Sequence, residues 1–271
     1  MARPAGLGSA FLGGRPALIG YMMAGYPTRT ESLAVLRALA EAGADLIELG
    51  VPYSDPLADG PVIREAADEA RRAAGGTFGL AETIDLAREF IATAGHDAPP
   101  VALMTYLNPL MRAGLPKAAA AMREAGIGGV IVPDLPPDMA APWLAASSGL
   151  DTVFLVAPTS TNERLAKVGA ASHGFVYCVS STGVTGERAE LPPELSELVS
   201  RVKAATKLPV AVGFGVSTPE QAGSVALEAD GVIVGSAIVK RQGDIVELRE
   251  FVGSLAHAVH GASRSQAELS T

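Results

Sequence analysis

Eight short apolar segments alternate with segments of helical periodicity along almost the whole of this 271-residue chain. The apolar segments are continuous and rich in Val, Ile and Leu, which is typical of strands that are covered on both faces. Strict β-α alternation of this number predicts an α/β fold of the (β/α)8 TIM-barrel type, with a doubly wound open sheet as the alternative. The predicted strands are 18–24, 46–51, 101–106, 129–133, 152–157, 175–180, 210–213 and 231–235.

Helix signals separate these strands. Thr28 and Glu31 have the S/T-x-x-E spacing of a capping box, Pro61 can open a helix, and Gly75-Gly76 interrupts that helix. Because no linker or composition shift divides the chain, we predict a single domain over 1–271, with its core at about 17–260 and a disordered tail at 262–271. Further helices are predicted at about 7–12, 80–91, 115–125, 137–147, 162–170, 193–205, 218–227 and 244–259.

Composition and charge restrict the class of function. A net charge of -8 without a basic stripe argues against a nucleic-acid partner. No stretch approaches the roughly 20 apolar residues that span a bilayer. The apolar segment 17–24 lacks the charged region and cleavage site of a signal peptide. The one cysteine, Cys178, lies in an apolar run and is expected in the core. We therefore expect a cytoplasmic protein with no membrane association.

One strand carries a carboxylate in its middle. Side chains alternate along a strand, so Glu48 shares a face with Leu46 and Gly50 in LIELG. An unpaired charge there is costly to bury, so Glu48 is either paired structurally or placed for chemistry. Asp55 and Asp59 follow in a Pro/Gly-rich loop, where Asp59 is either a functional group or the N-cap of the next helix.

The active site of such a barrel lies at the C-terminal ends of its strands. The loops after strands six, seven and eight are rich in glycine: 181–186, 213–215 and 235–236. Glycines let backbone N–H groups approach an anion closely, and Ser236 can begin a short helix that faces the barrel mouth. These features favour a phosphate ester as ligand. The polar loop 181–193 is either a surface connection or, as we favour, a lid over the substrate.

Two other chemistries lack their residues. A Schiff-base aldolase needs a lysine at a strand end, and none of the five lysines lies on a predicted strand. The four histidines fall before strands or on the last helix, and one cysteine cannot build a thiolate site, so we expect no metal. Carboxylate acid–base chemistry on a phosphorylated substrate, without a cofactor, remains.

Six motifs, in order from about Leu18 to Val259, together resemble the tryptophan synthase alpha subunit family: LIELGVPYSDPLADGP, LMTYLNP, VIVPDLP, STGVTG, VGFGVSTPEQ and GVIVGSAIVK. The resemblance implies a carbon–carbon lyase of tryptophan biosynthesis. Its expected reaction is the retro-aldol cleavage of indole-3-glycerol phosphate to indole and glyceraldehyde 3-phosphate.

The same resemblance implies roles for individual residues. Glu48 matches the proton shuttle, for which an apolar setting that raises its pKa is suitable, and Asp59 matches the group that holds the indole N1 proton. Thr185 matches the lid residue that hydrogen-bonds this aspartate. Tyr177 matches a tyrosine near the substrate hydroxyls, or is a barrel-core aromatic residue.

The resemblance also implies two larger sets of site residues, which are assigned by their positions in the motifs. The phosphate site is expected at Gly186, Gly213, Gly215, Gly235 and Ser236. The indole pocket is expected to be walled by Tyr21, Met104, Tyr106, Ile131, Leu155 and Phe214, most of which could equally be ordinary core. The chain departs from the family pattern after the first strand, where Met23-Ala24-Gly25-Tyr26-Pro27 replaces the expected Thr-Ala-Gly-Asp-Pro.

The resemblance also implies a partner. The family works with a beta subunit that holds pyridoxal phosphate (PLP) in an alpha2-beta2 heterotetramer, so indole would pass to that subunit and this chain would need no cofactor. The expected contact residues are Asp55, which also shapes its loop, Asn108 and Pro109, which are expected to form a turn, and Pro136.

Three other functions stay open at this point. They are a free-standing indole-releasing lyase, a non-catalytic regulatory alpha-like subunit, and another phosphate-binding barrel such as a sugar-phosphate isomerase or epimerase. The intact Glu48 and Asp59 argue against the regulatory subunit.

Overall fold

Parallel strands form a barrel that helices surround. The computed structural model describes residues 6–56, 59–95, 98–179, 193–213 and 215–262. The described strands pair in the order β5-β4-β3-β2-β1-β9-β8-β7-β6, and every pairing is parallel. The strands are β1 (Ala17–Met23), β2 (Leu46–Gly50), β3 (Val101–Met104), β4 (Gly129–Ile131), β5 (Asp151–Val153), β6 (Leu155–Val156), β7 (Val176–Val179), β8 (Val210–Gly213) and β9 (Gly231–Val234).

One strand of the sequence prediction closes the barrel. The predicted strand 152–157 is two segments, of which β5 pairs with β4 and β6 pairs with β7. Between them, the N–H of Phe154 donates to Ser172 Oγ at 3.4 Å, and its carbonyl accepts from the N–H of Tyr177 at 3.2 Å. The chain therefore continues from one edge of the sheet to the other. The (β/α)8 prediction is confirmed, and the open-sheet alternative is wrong.

The helices begin and end close to the predicted positions. They are α1 (Arg29–Glu41), α2 (Pro61–Ala73), α3 (Leu80–Ala94), α4 (Leu107–Ala113), α5 (Leu115–Ala125), α6 (Ala141–Ala146), α7 (Asn162–Ala171), α8 (Pro193–Ala205), α9 (Pro219–Glu228), α10 (Ser236–Val239) and α11 (Ile245–His260), with 3-10 helices at Leu7–Phe11 and Pro137–Met139. The expected turn at Asn108-Pro109 is wrong, since both residues lie in the first turn of α4. Proline is tolerated there because first-turn N–H groups have no partner within the helix.

The predicted signals around α1 and α2 are confirmed. Thr28 is the N-cap of α1; its hydroxyl accepts from the N–H of Glu31 at 3.4 Å and donates to the Glu31 carboxylate at 2.7 Å. Pro61 is the first residue of α2. The chain leaves that helix through Gly75-Gly76, where both residues have positive φ, 63° and 85°.

Alternation along the strands sorts the side chains into two layers. Ile47 and Leu49 of β2 pack outward against the helices, whereas Leu46 packs into the barrel interior. Glu48 shares this face with Leu46, as predicted, and therefore faces the interior. The interior cluster consists of Leu7, Ile19, Leu46, Ala102, Ile131, Val153, Phe175, Tyr177, Ala211 and Ile233.

Polar contacts hold the N-terminal end of the barrel together. The N–H of Leu7 donates to Asp151 Oδ2 at 2.7 Å, which fixes the first 3-10 helix beneath the interior cluster. Asp45 accepts from the N–H of Leu18 and pairs with Arg15 and with His260 Nε2 at 2.8 Å. His260, on the last helix, is half-buried and thus holds α11 to the N-terminal end of the barrel. The candidate site lies at the opposite end of the barrel, where the strands have their C-terminal ends.

Other predictions are settled only in part. Cys178 is fully buried, as expected. Ala262 packs against the core, whereas the rest of the predicted tail lies outside the described residues. Within the described ranges, no helix is long and apolar enough to cross a membrane.

Candidate active site

Glu48 is the most unusual polar group of the described chain. It lies on β2 facing the barrel interior, and its side chain is 0% exposed. Neither carboxylate oxygen has a hydrogen-bond partner among the described residues. Burial, reinforced by the negative charge of Asp59, raises the pKa of Glu48 to about 8. No described residue forms the ion pair that the structural alternative requires, and a carboxyl group with this pKa can exchange a proton near neutral pH.

Asp59 lies just before α2 and is electrostatically coupled to Glu48. Burial raises the pKa of its carboxyl, while a hydrogen bond from the Tyr106 hydroxyl and the positive charge of Arg64 act in the opposite direction. The alternative of a helix cap is wrong, since Gly60 is the N-cap of α2 and no side chain caps it. Asp59 thus keeps a carboxylate that a phenol holds at the barrel mouth.

Two buried tyrosines flank the carboxylates. Tyr21 on β1 is the register partner of Glu48, and Tyr177 lies on β7. Each hydroxyl packs against a glycine of the neighbouring strand: a Cβ atom would come within 2.3 Å of the Tyr21 oxygen at Gly50, and within 2.5 Å of the Tyr177 oxygen at Gly213. Burial is the largest cause that raises the pKa of both phenols well above 10, and the negative charges of Glu48 and Asp59 add to it. Both phenols therefore stay protonated and can donate hydrogen bonds.

The remaining predicted pocket residues lie at different depths. Met104 and Leu155 are half-buried on the inner faces of β3 and β6, and Tyr106 is buried at the end of the segment after β3. Ile131 is fully buried in the interior cluster, deeper than the others. Phe214 lies outside the described residues.

The glycine-rich ends of β8 and β9 meet at the same mouth. Gly235 is the N-cap of α10, which begins at Ser236 as predicted, and a Cβ atom at Gly235 would lie 3.7 Å from the Tyr21 side chain. Gly213 ends β8, and Gly215 has a φ of +83° that a side chain would strain. Gly186, Thr185 and the predicted loop up to 192 lie outside the described residues.

The predicted contact residues lie on the loops and the helix that follow β2, β3 and β4. Asp55 and Asn108 are exposed, and Pro109 and Pro136 are half-buried. Asn108 Nδ2 donates to the Tyr53 hydroxyl at 2.9 Å. Tyr53 carried no sequence signal apart from its place in the PYSDP loop.

A second residue that the sequence did not reveal is Gln242. Its Oε1 accepts from the N–H of Met23 at 2.8 Å, and its Nε2 donates to the carbonyls of Met23 at 3.1 Å and Tyr26 at 2.9 Å. Gln242 is 1% exposed. It therefore fixes the segment after β1, where the chain departs from the family pattern, to the residues that follow α10.

The placement of lysines and metal-ligating residues agrees with acid–base chemistry. All five lysines lie on helices or loops, away from the barrel interior: Lys117, Lys167, Lys203, Lys207 and Lys240. In the described part of the chain, no group of three or more His, Cys, Asp or Glu side chains could hold a metal ion.

A (β/α)8 barrel that carries a buried and a half-buried carboxyl group at its C-terminal mouth places the chain in the TIM-barrel class of proteins, whose active sites lie at that mouth. A sequence model of the family described as tryptophan synthase alpha chain matches residues 10–262. The chain therefore belongs to the tryptophan synthase alpha chain family, and it is a lyase that cleaves indole-3-glycerol phosphate.

Relatives and solved structures support this membership over most of the chain. The tryptophan synthase alpha chain of Acidothermus cellulolyticus is 49% identical over 229 residues, which are 84% of this chain and 83% of that one. The tryptophan synthase alpha chain of Streptomyces avermitilis is 45% identical over a match that covers 94% of this chain and 93% of that one. A structure of Mycobacterium tuberculosis tryptophan synthase matches with a TM-score of 0.86 at 45% identity, covering 94% of this chain and 98% of that one. The structure of the alpha subunit from Legionella pneumophila matches with a TM-score of 0.83 at 33% identity, covering 94% of this chain and 97% of that one.

Proposed function

We propose that Glu48 is the proton shuttle of this lyase and that Asp59 holds the indole N1 proton. The observation that carries the proposal is the Glu48 carboxyl group, which is fully buried, faces the barrel interior and has no hydrogen-bond partner among the described residues. A buried acid without a partner is costly unless it is neutral or meets a ligand. The substrate supplies that ligand.

The reaction requires one proton to arrive and one to leave. Indole C3 must be protonated before its bond to the glycerol carbon breaks, and the hydroxyl on that carbon must lose its proton as the aldehyde forms. Because its pKa is about 8, Glu48 is protonated at neutral pH and can protonate C3. The resulting carboxylate then takes the hydroxyl proton and returns to its starting state. Indole and glyceraldehyde 3-phosphate leave, and no external oxidant or reductant is needed.

Asp59 has the complementary task. Protonation at C3 makes the indole ring a cation with its charge near N1, and a carboxylate beside N1 stabilises that cation. The Tyr106 hydroxyl and Arg64 both favour the charged form of Asp59. Thr185 would hydrogen-bond Asp59 when the lid closes, and Tyr177 would donate to the substrate hydroxyls.

The rest of the mouth accommodates the two ends of the substrate. We assign the phosphate to the loops after β7, β8 and β9, where α10 begins with the N–H groups of Ser236 and Ala237, since those of Ile238 and Val239 already donate to the Gly235 carbonyl. The phosphate set is Gly186, Gly213, Gly215, Gly235 and Ser236. The indole pocket is assigned to Tyr21, Met104, Tyr106, Ile131, Leu155 and Phe214.

We also propose a beta-subunit partner in an alpha2-beta2 heterotetramer in the cytoplasm. PLP would belong to that partner, and this chain would act as one domain without a cofactor. The contact surface would be formed by Asp55, Asn108, Pro109 and Pro136, which surround one side of the mouth. Indole released at Glu48 would then leave directly into the partner. The likeness to a solved Mycobacterium tuberculosis tryptophan synthase supports this assembly.

The test is indole release from indole-3-glycerol phosphate, with and without an added beta subunit. Glu48→Gln should lower kcat on the order of 10²-fold or more, the usual contribution of a general acid–base. Glu124→Gln, on the exposed side of α5, is the matched control and should leave kcat unchanged. A fully active Glu48→Gln chain would refute the mechanism. Strong activity of the lone chain that a beta subunit does not change would favour the free-standing lyase.

A further inference from the structure

Four side chains form a continuous line of contacts from the exposed rim to Asp59. Asn108 Nδ2 donates to the Tyr53 hydroxyl at 2.9 Å. The Tyr53 ring packs on the Tyr106 ring with centroids 5.3 Å apart and planes tilted by 32°. The Tyr106 hydroxyl in turn hydrogen-bonds the Asp59 carboxylate. Only the last two residues belong to the set expected from the sequence to act on the substrate.

We propose that Tyr53 is a positioning residue for the reaction: its ring, oriented by Asn108, holds Tyr106 so that the Tyr106 hydroxyl stays on Asp59. The proposal rests on the role of Asp59 in the proposed function. Tyr53 itself need not touch the substrate.

The local structure shows why Tyr106 needs such support. Tyr106 follows β3 and is the N-cap of α4, so no strand pairing fixes it. Its backbone is fixed one residue later, where the N–H of Leu107 donates to Asp134 Oδ1 at 2.9 Å. That contact fixes the backbone and does not set the orientation of the ring. Aromatic pairs at this separation are stabilised beyond their buried area, so the Tyr53 ring can select one orientation.

The consequence for Asp59 has a definite sign. A phenol that donates to a carboxylate stabilises the charged form and lowers its pKa, against the effect of burial. If Tyr106 is released, the pKa of Asp59 rises, so more of the carboxyl group is protonated at acid pH. The protonated carboxyl group cannot hold the indole N1 proton. The charged and titratable groups coupled to this site are Arg64, Glu48, Tyr106, Tyr21 and Tyr177.

The experiment compares two substitutions at Tyr53 with a matched tyrosine elsewhere. Tyr53→Phe keeps the ring pair and removes the bond from Asn108, whereas Tyr53→Ala removes both. With the beta subunit present, we expect kcat for indole release to fall about two- to tenfold in Tyr53→Phe, the range for one hydrogen bond, with little change in KM. The acid limb of kcat/KM should move to higher pH. Tyr53→Ala should show larger changes, and Tyr26→Phe, outside the line of contacts from Asn108 to Asp59, should match the parent chain.

A coupling test separates positioning from a general loss of structure. In a Tyr106→Phe background the bond to Asp59 is already gone, so adding Tyr53→Phe should change neither kcat nor the acid limb further. Fully additive effects, or a Tyr53→Phe chain with an unmoved acid limb, would overturn the proposal. Thermal unfolding shows whether Tyr53→Ala is folded, and the nearly isosteric Tyr53→Phe decides the outcome if it is not.

The two proposals fail in different ways. If the parent chain releases no indole, or if Glu48→Gln remains active, the proposed function fails. If the parent is active, Glu48→Gln is inactive and the Tyr53 variants keep the parental acid limb, only the positioning role of Tyr53 fails.

Discussion

The Tyr21 hydroxyl lies so close to Gly50 that a Cβ atom on that residue would come within 2.3 Å of the oxygen. Gly50 lies two residues after Glu48 on the same inner face of β2. The absence of a side chain at this position makes room for the phenol next to the buried carboxyl. Tyr177 and Gly213 repeat the arrangement on β7 and β8, with 2.5 Å between the corresponding atoms.

The first prediction concerns Gly50→Ala. The new methyl group must displace the Tyr21 ring or β2, and overpacking of this kind costs about 1–3 kcal/mol. We expect a lower free energy of unfolding in urea and a kcat at least about tenfold lower, because a displacement of this size disturbs the reacting geometry. Tyr21→Phe in the same chain should recover part of the stability.

The control for Gly50→Ala is Gly253→Ala in α11. Nothing lies within 4 Å of a Cβ atom at Gly253, and alanine is the better helix former. This variant should be neutral or slightly more stable, with unchanged activity. Equal losses at positions 50 and 253 would contradict the steric argument.

The second prediction separates two reasons for glycine at the C-terminal end of β8. Gly213→Ala would place a methyl group against the Tyr177 hydroxyl, whereas at Gly215 the obstacle is its φ of +83°. Both variants should raise KM for the phosphorylated substrate. Tyr177→Phe should relieve part of the stability loss of Gly213→Ala and none of the loss of Gly215→Ala, as measured by thermal unfolding. Relief of both losses, or of neither, would show that contact with Tyr177 is not the cause at Gly213.

The third prediction is a pH dependence of stability that Glu48 causes. Its pKa is 4.5 in a model peptide and about 8 in the folded chain, so the folded state binds the proton more tightly. The stabilisation is complete below pH 4.5 and is lost as pH rises through 8. Relative to Glu48→Gln, the free energy of unfolding should fall by about 1.4 kcal/mol per pH unit within that window.

The measurement is urea denaturation of the parent and of Glu48→Gln from about pH 5 to about pH 9, a range chosen to follow the titration of this carboxyl group. Glu124→Gln should run parallel to the parent. Indole release should also decline above a pH of about 8, because the acid form of Glu48 is then depleted. A difference between parent and Glu48→Gln that stays constant with pH would contradict the raised pKa.

The fourth prediction concerns Gln242. Gln242→Leu leaves the N–H of Met23 and the carbonyl of Tyr26 without this partner, and it leaves the Met23 carbonyl with the N–H of Tyr26 at 3.4 Å. Each buried group left unpaired costs about 1–3 kcal/mol, so the free energy of unfolding should fall by several kcal/mol. Gln242→Glu keeps an oxygen that accepts from the N–H of Met23. Its free energy of unfolding should therefore lie between those of the parent chain and Gln242→Leu.

Gln221→Leu is the comparison for this variant. Gln221 also accepts a backbone hydrogen bond, from Ser217 at 2.8 Å, but in an exposed position where water can replace it. Its loss should be below about 1 kcal/mol. Similar losses for the two leucine variants would show that Gln242 does not act through buried hydrogen bonds.

Local and periodic features could be predicted from the sequence. The strand–helix alternation, the capping by Thr28, the start of α2 at Pro61 and the strand face that Glu48 shares with Leu46 each depend on neighbouring residues, whose spacing is visible in the chain. The six motifs identified the family for the same reason. The errors occurred where local rules compete: Asn108-Pro109 has turn chemistry, yet α4 includes both residues because a proline is tolerated in a first turn.

Only the tertiary structure decided which distant groups meet. Met23 and Gln242 are 219 positions apart in the chain, and they meet because β1 pairs with β9 when the barrel closes. The contact of Tyr53 with Tyr106, the bond from Tyr106 to Asp59 and the unpartnered state of Glu48 arise in the same way. Periodicity determines which face of an element a side chain occupies, whereas strand order and register determine what it faces. The sequence by itself therefore determined that an acid shares a strand face with Leu46, and the closed barrel decided that this acid faces the interior, has no hydrogen-bond partner among the described residues and has its pKa raised to about 8.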